Sequence, residues 1–189
     1  MVATPVRATI ADLDAIPDDG RRYELIDGEI IVAAAPTWQH QLASRAIFRL
    51  LDAWVQQHAS GEVMYAPFDI VLDTEIVVEP DIFFLSTAHL INLREGRYYG
   101  TPDLAVEVVS PTSQGYDAVT KMFRYAQAGI PEYWLVDPIA RTFLILTLGE
   151  GNIYVPQDSG AEGRLASVVL PGLAVDPTTI FGPPTGSQD

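Results

Sequence analysis

Cysteine is absent from all 189 residues of the sequence. Its absence excludes disulfide bonds, zinc or iron–sulfur sites with cysteine ligands, and catalysis by a thiol. Apolar runs are short as well, since none approaches the roughly 18 residues that a membrane-spanning helix needs. The first ten residues also lack the apolar core of a secretion signal. We therefore expect a soluble, cytoplasmic protein with no membrane partner.

Several common catalytic motifs are also missing from the sequence. It has no Gly-x-Gly-x-x-Gly or P-loop pattern for binding phosphate groups. It has no Gly-x-Ser-x-Gly motif and no pair of histidines spaced for a metal site on a helix. We therefore expect neither a nucleotide cofactor nor serine-hydrolase chemistry.

Positive charge is scarce. Lys and Arg total 11 against 25 Asp and Glu, which gives a formal net charge of -14. This balance disfavours binding to nucleic acid by charge alone, unless arginines gather on one face or metal ions offset the acidic groups. Lys121 is the single lysine of the chain, so its position calls for an explanation.

The length and the composition favour one folded domain. Apolar residues make up 48% of the chain and charged residues 19%, values that are typical of globular proteins. We interpret residues 1–181 as a single domain and residues 182–189, which are rich in small and polar residues, as a flexible tail.

The hydrophobic pattern predicts a mixed α/β (α+β) fold with one mixed sheet and two main helices against it. A capping signal at Thr9 predicts a short N-terminal helix, and Asp27-Gly28 between two apolar runs predicts a β-hairpin. Amphipathic helices are predicted over residues 37–58 and 117–128. Strands are predicted within residues 62–73, 76–85, 104–109, 132–136 and 142–148, with weaker ones at 152–155 and 165–169.

Two carboxylates lie in strands that are otherwise apolar. Glu107 stands in the middle of the predicted strand 104–109, and Asp81 stands at the entry to a run of Ile, Phe and Leu. A buried carboxylate needs a cation or a hydrogen-bond donor, and two of them together suit Mg²⁺ or Mn²⁺. The alternative is that Glu107 pairs with an arginine and that Asp81 caps a turn after Pro80.

Lys121 lies on the second predicted helix, whose apolar stripe is expected at Val119, Met122, Phe123 and Ala126. One interpretation places its ammonium in the carboxylate site, where it would orient a water molecule or stabilise negative charge. The other is an exposed ion pair with Asp117, four residues earlier.

His40 falls on the apolar stripe of the first predicted helix and is therefore expected to face the sheet with a neutral ring. It is either a buried histidine with ordinary hydrogen bonds or a group that contacts the metal or a phosphate. Glu24, in the predicted hairpin, can face the same space.

A series of motifs spans nearly the whole chain, from about residue 9 to residue 181. In chain order they are Tyr23-Glu24-Leu25-Ile26-Asp27-Gly28-Glu29, His40, Pro80-Asp81, the run from Pro102 to Pro111 that contains Glu107, Asp117 with Lys121 and Tyr125, and the run from Gly129 to Pro138. This series resembles the Uma-two family of restriction-endonuclease-like proteins, which belongs to the PD-(D/E)XK nuclease superfamily.

The resemblance implies a restriction-endonuclease-like fold, in which helices flank a central mixed sheet. It also implies that Asp81 and Glu107 hold Mg²⁺ or Mn²⁺, that the substrate is DNA, and that the chain forms a homodimer. The superfamily places a lysine two residues after the acidic residue, and Val109 occupies that position here. Lys121 on the next helix would replace it, and Glu24 and His40 match recurring family positions that complete the site.

Two functions are therefore expected. The first is a metal-dependent endonuclease that hydrolyses phosphodiester bonds of DNA. The alternative is a catalytically inactive, nuclease-derived dimeric module that binds protein or nucleic acid, with the aromatic residues Trp38, Tyr98 and Tyr99 either facing the partner or simply packed in the fold. The net charge opposes the first function, and binding would be rescued if the arginines gather on one rim, for which the candidates are Arg21, Arg22, Arg45, Arg49, Arg94, Arg97 and Arg124.

Overall fold

The computed structural model describes residues 7–109, 117–160 and 163–181. In these ranges the helices are α1 (Ile10–Asp14), α2 (Trp38–His58), α3 (Asp117–Ala128) and α4 (Pro177–Phe181). The strands are β1 (Tyr23–Ile26), β2 (Glu29–Val32), β3 (Gly61–Tyr65), β4 (Ile70–Asp73), β5 (Ile76–Val78), β6 (Ile82–Ser86), β7 (Leu93–Arg94), β8 (Arg97–Tyr99), β9 (Leu104–Val108), β10 (Glu132–Asp137), β11 (Thr142–Leu148), β12 (Tyr154–Pro156), β13 (Leu165–Ala166) and β14 (Ala174–Val175).

The first sheet has the strand order β2-β1-β5-β4-β8-β7. Strands β4 and β8 run parallel, and the other neighbours are antiparallel. The β1–β2 hairpin turns at Asp27 and Gly28, whose φ angles are 56° and 76°. Positive φ at both central residues is what a tight hairpin turn requires, so the hairpin predicted from Asp-Gly is confirmed.

The second sheet has the strand order β12-β11-β10-β9-β6-β3. Its one parallel pair is β9 and β10. Helix α3 lies between these two strands in the chain, as a crossover between parallel strands requires. The central strand β9 is buried along its whole length, which confirms its prediction from an apolar run.

The second sheet has an apolar core on each face. On one face α2 packs against it through a stripe that begins near His40 and continues with Ala43, Ile47, Leu51 and Val55. On the other face the core is shared with the first sheet and with Tyr125 of α3. Odd- and even-numbered side chains of β9 therefore face different layers.

The mixed α and β fold, with its N-terminal helix and hairpin, is confirmed. Thr9 caps α1 in a reciprocal pair of hydrogen bonds with Asp12. The expectation of a single mixed sheet is wrong, because the strands of the described ranges form two six-stranded sheets and a short β13–β14 pair. Alternation shows which side of a strand is apolar, but it does not show which strands pair. The tail predicted at 182–189 lies outside the described residues.

Helix α3 is turned differently from the predicted orientation. Val119 and Phe123 of the expected apolar stripe are 59% and 53% exposed, whereas Lys121 is 7% exposed and Tyr125 is fully buried. The predicted stripe is therefore wrong for these two positions. The helix buries Lys121 and Tyr125 because both find a buried polar partner, which is described below. None of the described helices is both long and apolar enough to cross a bilayer.

Candidate active site

A cluster of charged side chains lies where the two sheets meet helices α2 and α3. Its members come from five elements far apart in the sequence, and together they line a cavity of about 60 Å³. The predicted site residues found there are Glu24 in β1, His40 in α2, Asp81 just before β6, Glu107 in β9 and Lys121 in α3. The structure thus brings all five together.

The register of β6 and β9 makes Asp81 and Glu107 neighbours. Ile82 is paired with Val106 in this antiparallel pair, so continuing the register by one residue places Asp81 opposite Glu107. Opposite residues in a ladder project to the same face. The backbone N–H of Val108 also donates to Asp81 Oδ2 at 2.8 Å. The Asp81 carboxylate therefore binds the strand that carries Glu107 and does not cap a local turn.

Lys121 reaches across from α3 to both sheets. Its Nζ lies 2.7 Å from Glu24 Oε1 and 3.1 Å from Glu107 Oε1. The cation beside Glu107 is therefore this lysine and not an arginine. The alternative of an exposed pair with Asp117 does not agree with the burial of Lys121, and the Asp117 side chain lies outside the described residues.

His40 lies at the start of α2 and holds Asp81. Thr37 caps this helix by accepting a hydrogen bond from the backbone N–H of His40. The ring then places Nε2 at 3.0 Å from Asp81 Oδ2 and Nδ1 at 3.3 Å from Ser44 Oγ. Both ring nitrogens have partners, so the ring orientation is fixed.

Three further residues of the site were not predicted from the sequence to belong to it. The Tyr125 hydroxyl donates to Glu107 Oε1 at 2.6 Å, and Arg22 and Glu79 line the same cavity. Two of them had a sequence signal. Tyr125 follows Lys121 by four residues and so shares its helical face, and Glu79 is an acidic residue only two positions before Asp81. Arg22 was named only among the candidate rim arginines, and nothing in the sequence placed it beside the carboxylates.

Burial governs the protonation of the central pair. Burial raises the pKa of the Glu107 carboxyl to about 7, an effect that Lys121 opposes and that the charges of Asp81 and Glu24 reinforce. Burial alone would lower the pKa of Lys121, but the negative charges of Glu107 and Glu24 outweigh it and hold that pKa above its usual value. The lysine therefore stays positively charged at neutral pH.

The donor set can take a divalent cation. Glu24, Glu79, Asp81 and Glu107 line the cavity with only Lys121 and Arg22 as permanent cations, so the site has a surplus of two negative charges when all four carboxylates are ionised. In the described ranges no three or more His, Asp and Glu side chains are arranged to hold one metal ion by themselves. Mg²⁺ is usually held by one or two carboxylates and keeps several waters, so the Asp81–Glu107 pair fits it.

A larger cleft of about 820 Å³ opens beside the charged cluster and shares His40 and Asp81 with it. Of the seven candidate rim arginines, Arg21, Arg22 and Arg45 line this cleft. Arg97 instead forms ion pairs with Asp14 and Asp69, and Arg124 pairs with Asp27. The seven candidates therefore do not all gather there, because acidic neighbours hold Arg97 and Arg124.

The aromatic residues considered for partner binding fall into two groups. Tyr98 is fully buried and donates a hydrogen bond to the carbonyl of Thr101, so it is a packing residue. Trp38 is 60% exposed at the start of α2, and Tyr99 is half-buried beneath the Arg94 guanidinium. The pair Tyr98-Tyr99 is therefore not a shared partner surface.

Comparison with known proteins agrees with this architecture. A crystal structure described as a putative nuclease belonging to DUF820, from Anabaena variabilis ATCC 29413, superimposes with a TM-score of 0.76. It is 16% identical in sequence, and the match covers 92% of this chain and 97% of that one, so it shows that the two proteins share a fold. No match is found among curated proteins.

The sequence also matches a family over nearly its full length. Residues 10–178 match Uma2, a family described as "Putative restriction endonuclease". The matched range contains all five predicted site residues and both sheets. The chain therefore belongs to the Uma2 family.

Proposed function

We propose that the chain is a metal-dependent endonuclease that hydrolyses phosphodiester bonds of DNA with Mg²⁺ or Mn²⁺. The main support is the position of Lys121, whose buried ammonium lies 3.1 Å from Glu107 and 2.7 Å from Glu24. A lysine beside the central carboxylate is the element that appeared missing when Val109 was found after Glu107. Here the following helix supplies it.

Each residue has a distinct role in this proposal. Asp81 and Glu107 would hold the cation, which when bound would polarise the scissile phosphate and lower the pKa of a coordinated water. Lys121 provides a fixed positive charge where negative charge develops on the phosphate. His40 and Glu24 are positioning residues, since His40 orients Asp81 and Glu24 orients Lys121.

The activity test compares the wild type with Glu107→Gln, which keeps the size of the side chain and removes its charge. Single- and double-stranded DNA are incubated with Mg²⁺ or Mn²⁺, and cleavage products are followed on gels. We expect Glu107→Gln and Asp81→Asn to lower the rate by about 100-fold or more, the scale of losing a central electrostatic group. Asp103→Asn is the matched control, because Asp103 is a partly buried acid just before the same strand whose carboxylate instead binds His89 and the Ser86 backbone N–H.

Metal binding is tested separately, without a substrate. Mn²⁺ is titrated calorimetrically into the wild type, Glu107→Gln and Asp103→Asn, and circular dichroism checks that each protein is folded. We expect heat of binding in the wild type and in Asp103→Asn, and its loss in Glu107→Gln. Cleavage by Glu107→Gln at the wild-type rate would refute the residue assignment. Absence of cleavage in a folded wild type, with both DNA forms and both metals, would favour the inactive module.

The homodimer implied by the family resemblance remains part of this proposal. Analytical ultracentrifugation over a range of protein concentrations tests it directly. A monomer at the highest concentration would remove the dimer from the proposal without affecting the active-site roles.

A further inference from the structure

The cleft of about 820 Å³ is of the size that holds a small molecule or one unit of a polymer, since such pockets measure roughly 300–1,000 Å³. His40 and Asp81 form the boundary between this cleft and the charged cluster. A group that occupies the cleft therefore lies directly beside the carboxylates assigned to the metal.

The walls of the cleft combine apolar and aromatic surface. Val32, Pro36 and Ile82 contribute aliphatic surface. Tyr65 is 62% exposed, although its ring is in edge-to-face contact with Phe48 at a centroid distance of 5.0 Å. Phe48 therefore supports a tyrosine ring that remains open to a ligand, and a flat aromatic ligand can stack on it.

The cleft also gathers positive charge on an acidic chain. Arg21, Arg22 and Arg45 all line it, although the chain carries a net charge of -14. The Arg22 guanidinium lies 3.9 Å from Glu79 and 4.0 Å from Asp81, at the outer limit of an ion pair. Its N–H donors therefore remain within reach of a phosphate close to Asp81.

A concave pocket with an aromatic wall suits an unstacked base better than a continuous duplex. In a duplex the faces of the bases are covered by their neighbours, so a base must leave the stack before it can enter such a pocket. Single-stranded nucleic acid is bound by aromatic rings that stack on bases together with cations that follow the backbone. The cleft offers both features at one place.

We propose that this cleft receives an unstacked base of single-stranded DNA, which stacks on Tyr65 while the three arginines hold the adjoining phosphates. This inference rests on the proposed nuclease function and names the form of DNA that the site takes. It places the phosphate next to the bound base beside Asp81.

The test measures binding apart from cleavage. A fluorescein-labelled single strand of mixed sequence and its blunt duplex are titrated with the wild-type protein, with Ca²⁺ in place of Mg²⁺, and fluorescence anisotropy is recorded. We expect the single strand to bind at least about tenfold more tightly than the duplex. We expect Tyr65→Ala to weaken binding of the single strand by roughly 5- to 150-fold, the range for losing one base–aromatic stack.

Two controls identify the cause of any loss. Tyr65→Phe keeps the ring and is expected to bind the single strand like the wild type. Phe123→Ala removes an aromatic ring of similar exposure, 53%, from α3 and is expected to leave binding of the single strand unchanged.

Three phosphate contacts predict a slope of about −2 when the logarithm of the binding constant is plotted against that of the salt concentration.

The outcomes separate this inference from the nuclease proposal. Equal affinity for single strand and duplex, no binding of either form, or unchanged binding by Tyr65→Ala would overturn the base pocket while leaving the roles of Asp81 and Glu107 to their own tests. Tight, Tyr65-dependent binding of single strands by a wild type that cleaves no DNA would support the pocket and refute the nuclease.

Discussion

Lys121 connects three elements through one ammonium group. It is carried by α3, and its two carboxylate partners, Glu24 and Glu107, lie on strands of different sheets. Three charges in a space this small are stable only as a set, because a buried charge without a counter-charge costs several kcal/mol. The site residues are therefore part of the stability of the fold as well as candidates for chemistry.

This arrangement predicts a large stability cost when the lysine charge is removed. Lys121→Met keeps most of the side-chain volume but leaves two buried carboxylates facing each other. We expect the free energy of unfolding to fall by about 3–5 kcal/mol, measured by urea denaturation followed by circular dichroism. Adding Glu24→Gln should recover part of the loss, because one unpaired charge is then gone. A Lys121→Met protein as stable as the wild type would contradict the buried ion pairs.

Residue chemistry decided which site residues could be predicted from the sequence. Glu107 and Asp81 stood out because a carboxylate in an apolar strand needs an explanation, and Lys121 stood out because the chain has no second lysine. Arg22 was one of seven candidate rim arginines, and nothing distinguishes it from the other six until the fold places it beside Asp81. A residue whose chemistry does not fit its neighbours can be recognised in a sequence, but the side chains that pair with it in the fold cannot.

At the scale of elements, α3 buries the polar groups of Lys121 and Tyr125 and exposes the apolar side chains of Val119 and Phe123. Tyr125 is fully buried and donates to Glu107, whereas Phe123 is 53% exposed. We expect Tyr125→Phe to lower the free energy of unfolding by about 1.5–3 kcal/mol, the range for a hydrogen bond to a charged group. We expect Phe123→Ser to change it by no more than about 0.5 kcal/mol. The stability of both variants is measured by thermal and urea denaturation. A larger loss of stability in Phe123→Ser than in Tyr125→Phe would show that α3 faces the other way.

Glu132 joins β10 to the segment that follows residue 166. Its carboxylate is fully buried and accepts hydrogen bonds from the Trp134 indole, the Ser167 hydroxyl and the backbone N–H groups of Val168 and Val169. These distances range from 2.6 to 3.2 Å. Glu132 therefore has a structural role, although it lies in one of the motifs that carry the family resemblance.

The Glu132→Gln variant tests this structural role. An amide group cannot accept hydrogen bonds on its nitrogen, so at least one buried donor loses its partner. We expect the free energy of unfolding to fall by at least about 1–3 kcal/mol, with DNA cleavage per folded molecule unchanged. The control is Glu150→Gln, since Glu150 is exposed. A selective loss of cleavage without a loss of stability would instead assign Glu132 to the active site.

The single elements were largely predictable, but their assembly into sheets was not. The bounds of α2, α3 and β11 agree with the predictions to within one residue. For the two helices the signals are local, since Thr37 caps the start of α2 and Gly129, with a φ of 84°, follows the end of α3. Pairing of β4 with β8, or of β1 with β5, depends on contacts between segments up to about 50 residues apart. The first sheet, and with it the position of Glu24 opposite Lys121, follow from that long-range pairing.

At the scale of the whole molecule, the buried carboxylate of Glu107 and the half-buried one of Glu79 contribute to the dependence of stability on pH. Burial raises the pKa values of Glu107 and Glu79 to about 7 from an ordinary value of 4.5. A carboxyl group with a raised pKa binds its proton more tightly in the folded state than in the unfolded state. Its contribution to stability is therefore fully present below about pH 4.5 and is lost as the pH rises towards 7.

Other carboxylates act in the opposite direction and in a different pH range. Hydrogen bonds from Thr9, Tyr23 and Thr178 lower the pKa values of Asp12, Asp19 and Asp176, respectively. Their contribution is present above the ordinary pKa of about 4 and is lost as the pH falls below it. The two sets together predict a stability maximum near pH 5, where both contributions are present.

We therefore expect the free energy of unfolding, measured in a chelating buffer, to fall between pH 5 and pH 7. Glu107 alone should lower the free energy of unfolding by about 1 kcal/mol per pH unit. In Glu107→Gln the dependence on pH should be weaker by that amount, because the amide does not titrate. Glu150→Gln should leave the slope unchanged. Addition of Mg²⁺ near pH 7 should restore stability to the wild type and not to Glu107→Gln, since a cation that binds the ionised carboxylate favours the folded state. Stability that rises over this interval would mean that Glu107 is ionised throughout, with Lys121 compensating fully for its burial.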